Sequence, residues 1–396
     1  MKIKRSIFNK LKTDFSLKEA TILVGPRQVG KTHLLHQLEN YAKKASKKTH
    51  FFDLEQPAQL ALFNQSEEKI IELLQGAGEV IFIDEFQYLK NASKIFKALY
   101  DQGKGPKIFA SGSSALEIHS HLKESLAGRK FLYHIYPCSF EEISQVIQNN
   151  TLHSYCLFGG MPGTTHLDND ERKKQLLQDI LQSYILKDIK SLLREENLRA
   201  FNHLLFLLAD AQGSVISVES LARDVGLSAP TISSYLDTLA QTYVNFPVYS
   251  YSKNLGNELR KSKKFYFYDL GIRNALLKNF AALTKREDAG CILESFVFLE
   301  LQRKLNPETE IRFWRLKSGE EVDFIWIKNQ KAFPIEVKFN WERKKIPNGL
   351  VAFLKRYPET SRAFVVSQQS AKDITYEKTT ISFISFDEIS KSIEEI

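Results

Sequence analysis

The stretch Gly25-Pro26-Arg27-Gln28-Val29-Gly30-Lys31-Thr32 decides the reading of this chain. It matches the pattern G-x-x-x-x-G-K-[ST] in full. An apolar run, Ala20–Val24, precedes it and predicts a strand. Leucines at helical spacing over Thr32–Lys44 follow it and predict a helix. Strand, glycine loop and helix start together make the context in which this pattern cradles phosphate. The backbone N–H groups of such a loop, and of the helix it opens, point at anionic oxygens. Gly25, Arg27, Gln28, Val29, Gly30, Lys31 and Thr32 are therefore the candidate nucleotide-binding positions. Gly30 permits close backbone approach, Lys31 reaches the β- and γ-phosphates, and Thr32 offers a hydroxyl to Mg²⁺.

Hydrolysis needs a second element, an apolar strand that ends in a carboxylate. Val80-Ile81-Phe82-Ile83-Asp84-Glu85 supplies it. Asp84 is expected to hold Mg²⁺ through water, and Glu85 to polarise the attacking water as general base. A further strand-like run, Lys107–Ser111, leads into Gly112-Ser113-Ser114. A small hydroxyl there suits γ-phosphate sensing; Ser113 is the first choice and Ser111 the second. Leu126-Ala127-Gly128-Arg129 places an arginine that would stabilise transition-state charge, in cis or in trans, if it came near the γ-phosphate.

Outward from these motifs, the first 150 residues alternate short apolar strands with amphipathic helices, which predicts a parallel sheet with crossover helices. Gly159-Gly160-Met161-Pro162-Gly163 breaks this pattern. Glu171 to Leu208 then reads as nearly continuous helix, up to a second break at Gln212-Gly213-Ser214. The last 120 or so residues mix a helix at Ile292–Leu301 with several strands.

Composition sets the outer limits. The chain has 396 residues, is 43% hydrophobic and 26% charged, and carries a net charge of +8. That is enough apolar content for several cores and argues against disorder as the main state. No run approaches the roughly 18 apolar residues of a membrane span. The basic N-terminus lacks a signal-peptide core, and three scattered cysteines do not form a disulfide framework, so a cytoplasmic setting is expected. A surplus of this size permits nucleic-acid binding without requiring it.

The motifs GPRQVGKT, FIDEFQ, ASGSS, SLAGR, SYILKDI and KFYFYDLG, in this order, resemble a large group of bacterial and archaeal AAA+-like P-loop ATPases. Those proteins carry a C-terminal domain of unknown function similar to PD-(D/E)xK nucleases. The resemblance implies ATP and Mg²⁺ at Lys31, Thr32, Asp84 and Glu85, and a role for Arg129 as the arginine of SLAGR. It also implies DNA-related or defence-related roles. One departure is Lys187, where the family often has arginine; lysine lacks the bidentate geometry.

Two further segments bear on partners. Val218–Leu236 has the shape of a helix-turn-helix, with Gly226 at the turn, Ser228 as cap and Pro230 in the first turn of the second helix. Strands at Asn245–Tyr251 and Lys264–Tyr268 suggest a winged version. The second helix holds no lysine or arginine; the basic residues come later, at Lys253, Arg260, Lys261, Lys263 and Lys264. DNA contact and protein packing both stay open for this module. Near the C-terminus, Asp323 opens a strand and Glu336-Val337-Lys338 lies on another, which resembles the nuclease signature of an acid followed by E-x-K. Asp323 and Glu336 would then hold Mg²⁺ and Lys338 would activate a water, with Glu294 as the further acid on an early helix. Trp341, Arg343, Lys344 and Lys345 form a basic segment suited to phosphate contact or to plain solvation.

The expectation is an α/β multidomain protein with four segments: a P-loop ATPase core (1–150), a helical lid (151–212), a winged helix (213–265) and a restriction-endonuclease-like domain (266–396). Its expected function is ATP hydrolysis coupled to DNA binding or processing, by a chain that is not membrane-embedded and could self-associate. The competing expectation is a nucleotide-gated interaction protein with a catalytically silent nuclease-like domain.

Overall fold

Five strands carry the phosphate loop: β1 (Ala20–Gly25), β2 (Thr49–Asp53), β3 (Val80–Asp84), β4 (Lys107–Ser113) and β5 (Lys130–His134). In the computed structural model they form one sheet in the order β2-β3-β4-β1-β5, parallel throughout. The structure describes residues 3–103, 105–113, 126–147, 150–183, 198–252, 263–341 and 345–396. Contacts divide the chain into two units, Met1–Cys138 with Gln241–Val244, and Ser139–Ala240 with Asn245–Ile396.

In the first unit, β1 and β3 are buried along their whole length. Parallel strands covered on both faces read as unbroken apolar runs, which is why these two were visible in the sequence. Helices Lys31–Lys44, Glu67–Ala77 and Ala92–Asp101 supply crossovers. The first of them buries Leu34, Leu35 and Leu38 completely. Truncating one of these to alanine would cost about 2–5 kcal/mol. The edge strand β5 was not anticipated. Its residues, Lys-Phe-Leu-Tyr-His, are only partly covered, so they show no continuous apolar run.

The second unit opens with helices Phe140–Ser144, Thr151–Phe158, Asp170–Ile180 and Leu198–Asp210. The expected long helix is seen at both ends, while 184–197, including Lys187, lie outside the described residues. Helices Val218–Val225 and Ala229–Gln241 follow. Then come β6 (Asn245–Ser250), β7 (Lys264–Phe267), β8 (Thr309–Arg315), β9 (Glu321–Lys328), β10 (Lys331–Val337), β11 (Arg362–Ser367), β12 (Ala371–Tyr376) and β13 (Thr379–Ser385). They form a single sheet ordered β12-β13-β11-β10-β9-β8-β6-β7.

This sheet alters the expected partition. β6 and β7 do pair antiparallel, but β6 also pairs with β8, at Tyr249–Arg312 and Ser250–Phe313. The strands read as a wing are thus the edge of the C-terminal sheet, and the expected boundary at 265 falls inside β7. Nor does the first contact boundary lie at 150, since it follows Cys138.

The motif Lys264–Gly271 gains a structural explanation. Buried Asp269 caps the helix Leu270–Leu277 by accepting the Ile272 N–H, and also accepts the Gly160 N–H at 2.7 Å. Asn274 donates to the carbonyls of Cys156 and Leu157, 2.9 Å each. Arg273, fully buried, pairs with Asp288 at 2.5 Å. These bonds tie the Gly159-Gly160 break to the strand end more than 100 residues later. No helix among the described residues is long and apolar enough to cross a membrane. None of the three cysteines is in a disulfide, and burial pushes the Cys291 thiol up to about 11.

Candidate functional site

β1 ends at Gly25, where the chain must turn sharply beside β5. A side chain at Gly25 would place its first carbon 2.1 Å from the carbonyl oxygen of Ile135. Gly30, at φ 94°, holds the left-handed conformation that precedes the helix Lys31–Lys44. Together the two glycines bend residues 25–32 so that the helix N-terminus faces the loop. Arg5 props the loop from below, donating to the carbonyls of Val29 and Tyr136 at 2.7 Å each. Nothing in the loop motif itself signalled Arg5.

Lys31 is only 5% exposed, and its ammonium donates to the carbonyls of Gly25 (2.9 Å) and Pro26 (2.8 Å). Burial lowers its pKa to about 8, against the opposing pull of Glu85 and Asp84. The loop carbonyls are neutral partners, so an arriving phosphate would outcompete them. Val29 is buried, whereas Gln28 and Thr32 are exposed.

Asp84 and Glu85 stand at the end of β3. Asp84 is 4% exposed and accepts a short hydrogen bond from the Ser111 hydroxyl. Glu85 sits at φ 53°, an uncommon conformation for a side-chain-bearing residue, and accepts from Gln87. Glu55 lies close to both Glu85 and Arg27; burial and the Glu85 charge raise its carboxyl above the usual range. The hydroxyl of Thr32 and the carboxylate of Asp84 are the hard oxygen donors that Mg²⁺ prefers, so these residues fit that ion.

Ser111 and Ser113 divide the sensor expectation. Ser113 pairs in register with Gly25, which places its backbone beside the start of the loop. Ser111, the second choice, is the residue that contacts Asp84. Arg129, expected to act in cis or in trans, lies away from the phosphate loop of its own chain. It precedes β5, and Ala20 at the opposite end of β1 from Gly25 bonds to its carbonyl. Five residues of strand, roughly 16 Å, separate that edge from the phosphate loop. Its guanidinium pairs with Asp101 at 2.9 Å instead.

In the second unit the sequence-predicted acids do converge. Helix Ala289–Arg303 packs on β7 and β10 and brings Glu294 to the sheet. Ile335 pairs with Phe324, which sets Asp323 beside the end of β10, where it accepts the Val337 N–H at 2.7 Å. Lys338 pairs with Glu336 at 2.7 Å. Three residues of the cluster were missed or misplaced. Lys264, read as a wing residue, is 1% exposed and pairs with Glu294 (2.9 Å) and Glu321 (2.5 Å). Tyr266 donates to Glu294 as well. A lysine heading the apolar run Lys264–Phe267 was the available signal, since a fully buried strand leaves a charge no route to water.

Burial, and then the Asp323 charge, raise the carboxyl of Glu336 to about 8; burial raises Glu294 to about 7 against the opposing charge of Lys264, and raises Asp323 too. Burial opposes the charge of Lys264, but Glu294, Asp323 and Glu321 outweigh it and keep the ammonium protonated. The expected Mg²⁺ between Asp323 and Glu336 does not fit this arrangement. Among the described residues no three acid, histidine or cysteine side chains are disposed around one ion. Lys264 takes one oxygen of Glu294 and one of Glu321.

The helix pair is well capped. Ser217 accepts the Ser220 N–H, Gly226 ends the first helix at φ 76°, and Ser228 accepts from Thr231. Leu221, Ala222 and Ile232 are buried, while Ser233 and Ser234 are exposed. Of the basic residues expected nearby, Lys253, Arg260 and Lys261 lie outside the described residues, as do Arg343 and Lys344. Lys263 lies over the Tyr249 ring.

Comparison with known proteins agrees with the first unit and names the rest only as unassigned. Residues 17–144 match the family described as AAA domain. Residues 149–283 and 289–388 match two domains of unknown function, DUF8612 and DUF4143. An uncharacterized protein of Methanocaldococcus jannaschii is 26% identical over 394 residues, covering 94% of this chain and 86% of that one. An uncharacterized protein of Haemophilus influenzae is 28% identical, covering 80% and 82%. Among solved structures, AMPPCP-bound DnaA from Aquifex aeolicus gives a TM-score of 0.33 at 16% identity, over 59% of this chain and 86% of that one. The Hsp104–ADP complex of S. cerevisiae gives 0.30 at 13%, over 60% and 39%. Scores this low carry no inference about this chain. The AAA match, the phosphate loop and the Asp84–Glu85 strand end together support a P-loop ATPase family for residues 17–144.

Proposed function

We propose that the chain binds and hydrolyses ATP, and couples its nucleotide state to DNA binding or processing by the residues that follow the ATPase domain. The observation that carries the ATPase part is Lys31, a buried ammonium held by two neutral carbonyls beside Asp84 and Glu85. On substrate binding Lys31 would exchange those carbonyls for β- and γ-phosphate oxygens, and the backbone of residues 25–32 would cradle the rest. Thr32 and Asp84 are the residues to hold Mg²⁺, which neutralises phosphate charge when present. Ser111 keeps the Asp84 carboxylate in one orientation. Glu85 takes the proton of the attacking water, and Gln87 orients it. Arg129 would serve only a neighbouring copy.

The DNA part rests on the capped helix pair Val218–Gln241, with Thr231, Ser233 and Ser234 as the groove-facing residues. The second helix carries no basic residue, so phosphate contacts would have to come from its flanks. One observation favours the second reading, a nucleotide-gated interaction protein with a silent nuclease-like domain: the lysines of the C-terminal acid cluster already pair with Glu294, Glu321 and Glu336.

ATP turnover of the wild type and Lys31→Ala, each with and without DNA, tests both parts. Lys31→Ala is expected to lose about 100-fold or more in turnover. Equal rates would remove the ATPase reading. Stimulation by DNA that weakens with salt supports the DNA reading. Indifference to DNA, combined with nucleotide-dependent self-association, supports the interaction reading.

A further inference from the structure

Four chain segments meet at the acid cluster of the second unit. Glu294 comes from the helix Ala289–Arg303, Lys264 and Tyr266 from β7, Glu321 and Asp323 from β9, and Glu336 from β10 with Lys338 just beyond it. The acids outnumber the lysines four to two. Each acid nonetheless has one oxygen already committed. Lys264 takes one oxygen each from Glu294 and Glu321, at 2.9 and 2.5 Å. Tyr266 donates to Glu294, and the Val337 N–H takes an oxygen of Asp323. Lys338 takes one oxygen of Glu336. Arg315 approaches the second oxygen of Glu321 at 3.4 Å, and the other oxygen of Glu336 is buried and has no hydrogen-bond partner.

An ammonium has three donors and a compact unit charge, so it can bridge carboxylates much as a small metal ion does. A divalent ion would need several of the same oxygens at about 2.0–2.1 Å, and it would meet the ammonium's charge at close range. The two cations therefore exclude each other. Lys264 cannot swing aside into water, because it is 1% exposed.

We infer that Lys264 is the resident cation of this cluster: its ammonium fills the place a divalent ion would take among Glu294, Glu321, Asp323 and Glu336. The native domain accordingly takes no metal there, and removing the ammonium opens a site for one. This rests on the second reading above, that the nuclease-like domain is silent, and it gives that silence a cause in a single side chain. The orphaned Glu336 oxygen is the acceptor that a metal, once admitted, would engage first.

The test uses the full chain without nucleotide, in a Thr32→Ala/Asp84→Asn background that silences the phosphate loop. Bound Mn²⁺ is counted by electron paramagnetic resonance. The background protein is expected to bind none at about 1 mM Mn²⁺. Adding Lys264→Met is expected to create one site per chain, at least about tenfold tighter than any site in the background. Asp323→Asn should abolish it again. A folded Lys264→Met protein that binds no Mn²⁺ overturns the inference. So does a background site that Asp323→Asn removes. If Lys264→Met does not fold, the background arm decides alone: a site dependent on Asp323 overturns the inference, and none supports it. ATP turnover enters no arm, so the fate of the ATPase reading leaves this result unaffected.

Discussion

The phosphate loop and the C-terminal acid cluster both bury a lysine near carboxylates, and they use it in opposite ways. Lys31 rests on two neutral carbonyls, with Asp84 and Glu85 nearby but not paired to it in a tight contact. Lys264 is locked to two carboxylates. Burial dominates at Lys31 and lowers its pKa to about 8. At Lys264 the surrounding acids overcome burial and raise the pKa. A lysine with weak partners is available to a ligand; one with strong partners is part of the structure.

That contrast can be broken by mutation. The largest effect is expected at Lys264→Ala, which strands buried carboxylates without a counter-charge. Such a loss costs about 3–5 kcal/mol. All three tryptophans (Trp314, Trp326 and Trp341) lie in the second unit, so urea unfolding followed by their fluorescence reads this loss directly. A shift of less than about 1 kcal/mol would mean the pairings at Lys264 are not structural.

A smaller, kinetic effect is expected at Ser111→Ala. Asp84 loses its hydroxyl partner but keeps its place on β3. Turnover should fall about tenfold, mostly in kcat, because the carboxylate remains yet is less well oriented. An unchanged kcat would show that the Ser111 contact does not position Asp84.

The smallest effect sharpens the comparison with a third charged site. Burial disfavours the Asp288 charge, but hydrogen bonds from Arg286 and Arg273 outweigh it and lower the pKa to about 2. The folded pKa lies below the ordinary value, so this carboxylate contributes stability above pH 4 or so, and the contribution disappears as pH falls toward 2. Asp288→Asn should therefore cost about 1 kcal/mol at neutral pH, after allowance for solvent screening. The gap to the wild type should close between about pH 4 and pH 2. Paired unfolding curves across that range check it, and a gap independent of pH would assign the cost to packing.

What could be read early divides along the same lines. The loop 25–32 and the strand end Asp84–Glu85 were legible because each is contiguous, and each sits on a strand buried along its whole length. The acids Glu294, Asp323 and Glu336 were legible as residue types at suggestive spacing. Their state was not, because Lys264 lies 30 residues from Glu294 and looked like a surface residue of a wing. Edge strand β5 escaped notice because half-covered residues show no apolar run, and with it escaped the position of Arg129.

The sequence by itself determined the phosphate loop, since backbone donors, two glycines and one lysine act over eight neighbouring residues and need only a strand and a helix to aim them. It also determined which residues are acids near the C-terminus. Only the tertiary structure decided what each charge faces. Strand register put Arg129 at the edge away from Gly25, and the pairing of β6 with β8 drew β7 into the C-terminal sheet. Lys264 thereby came to the acids. The physical reason is that electrostatic partnership depends on distance in space, and these partners are brought together only by sheet order and helix packing.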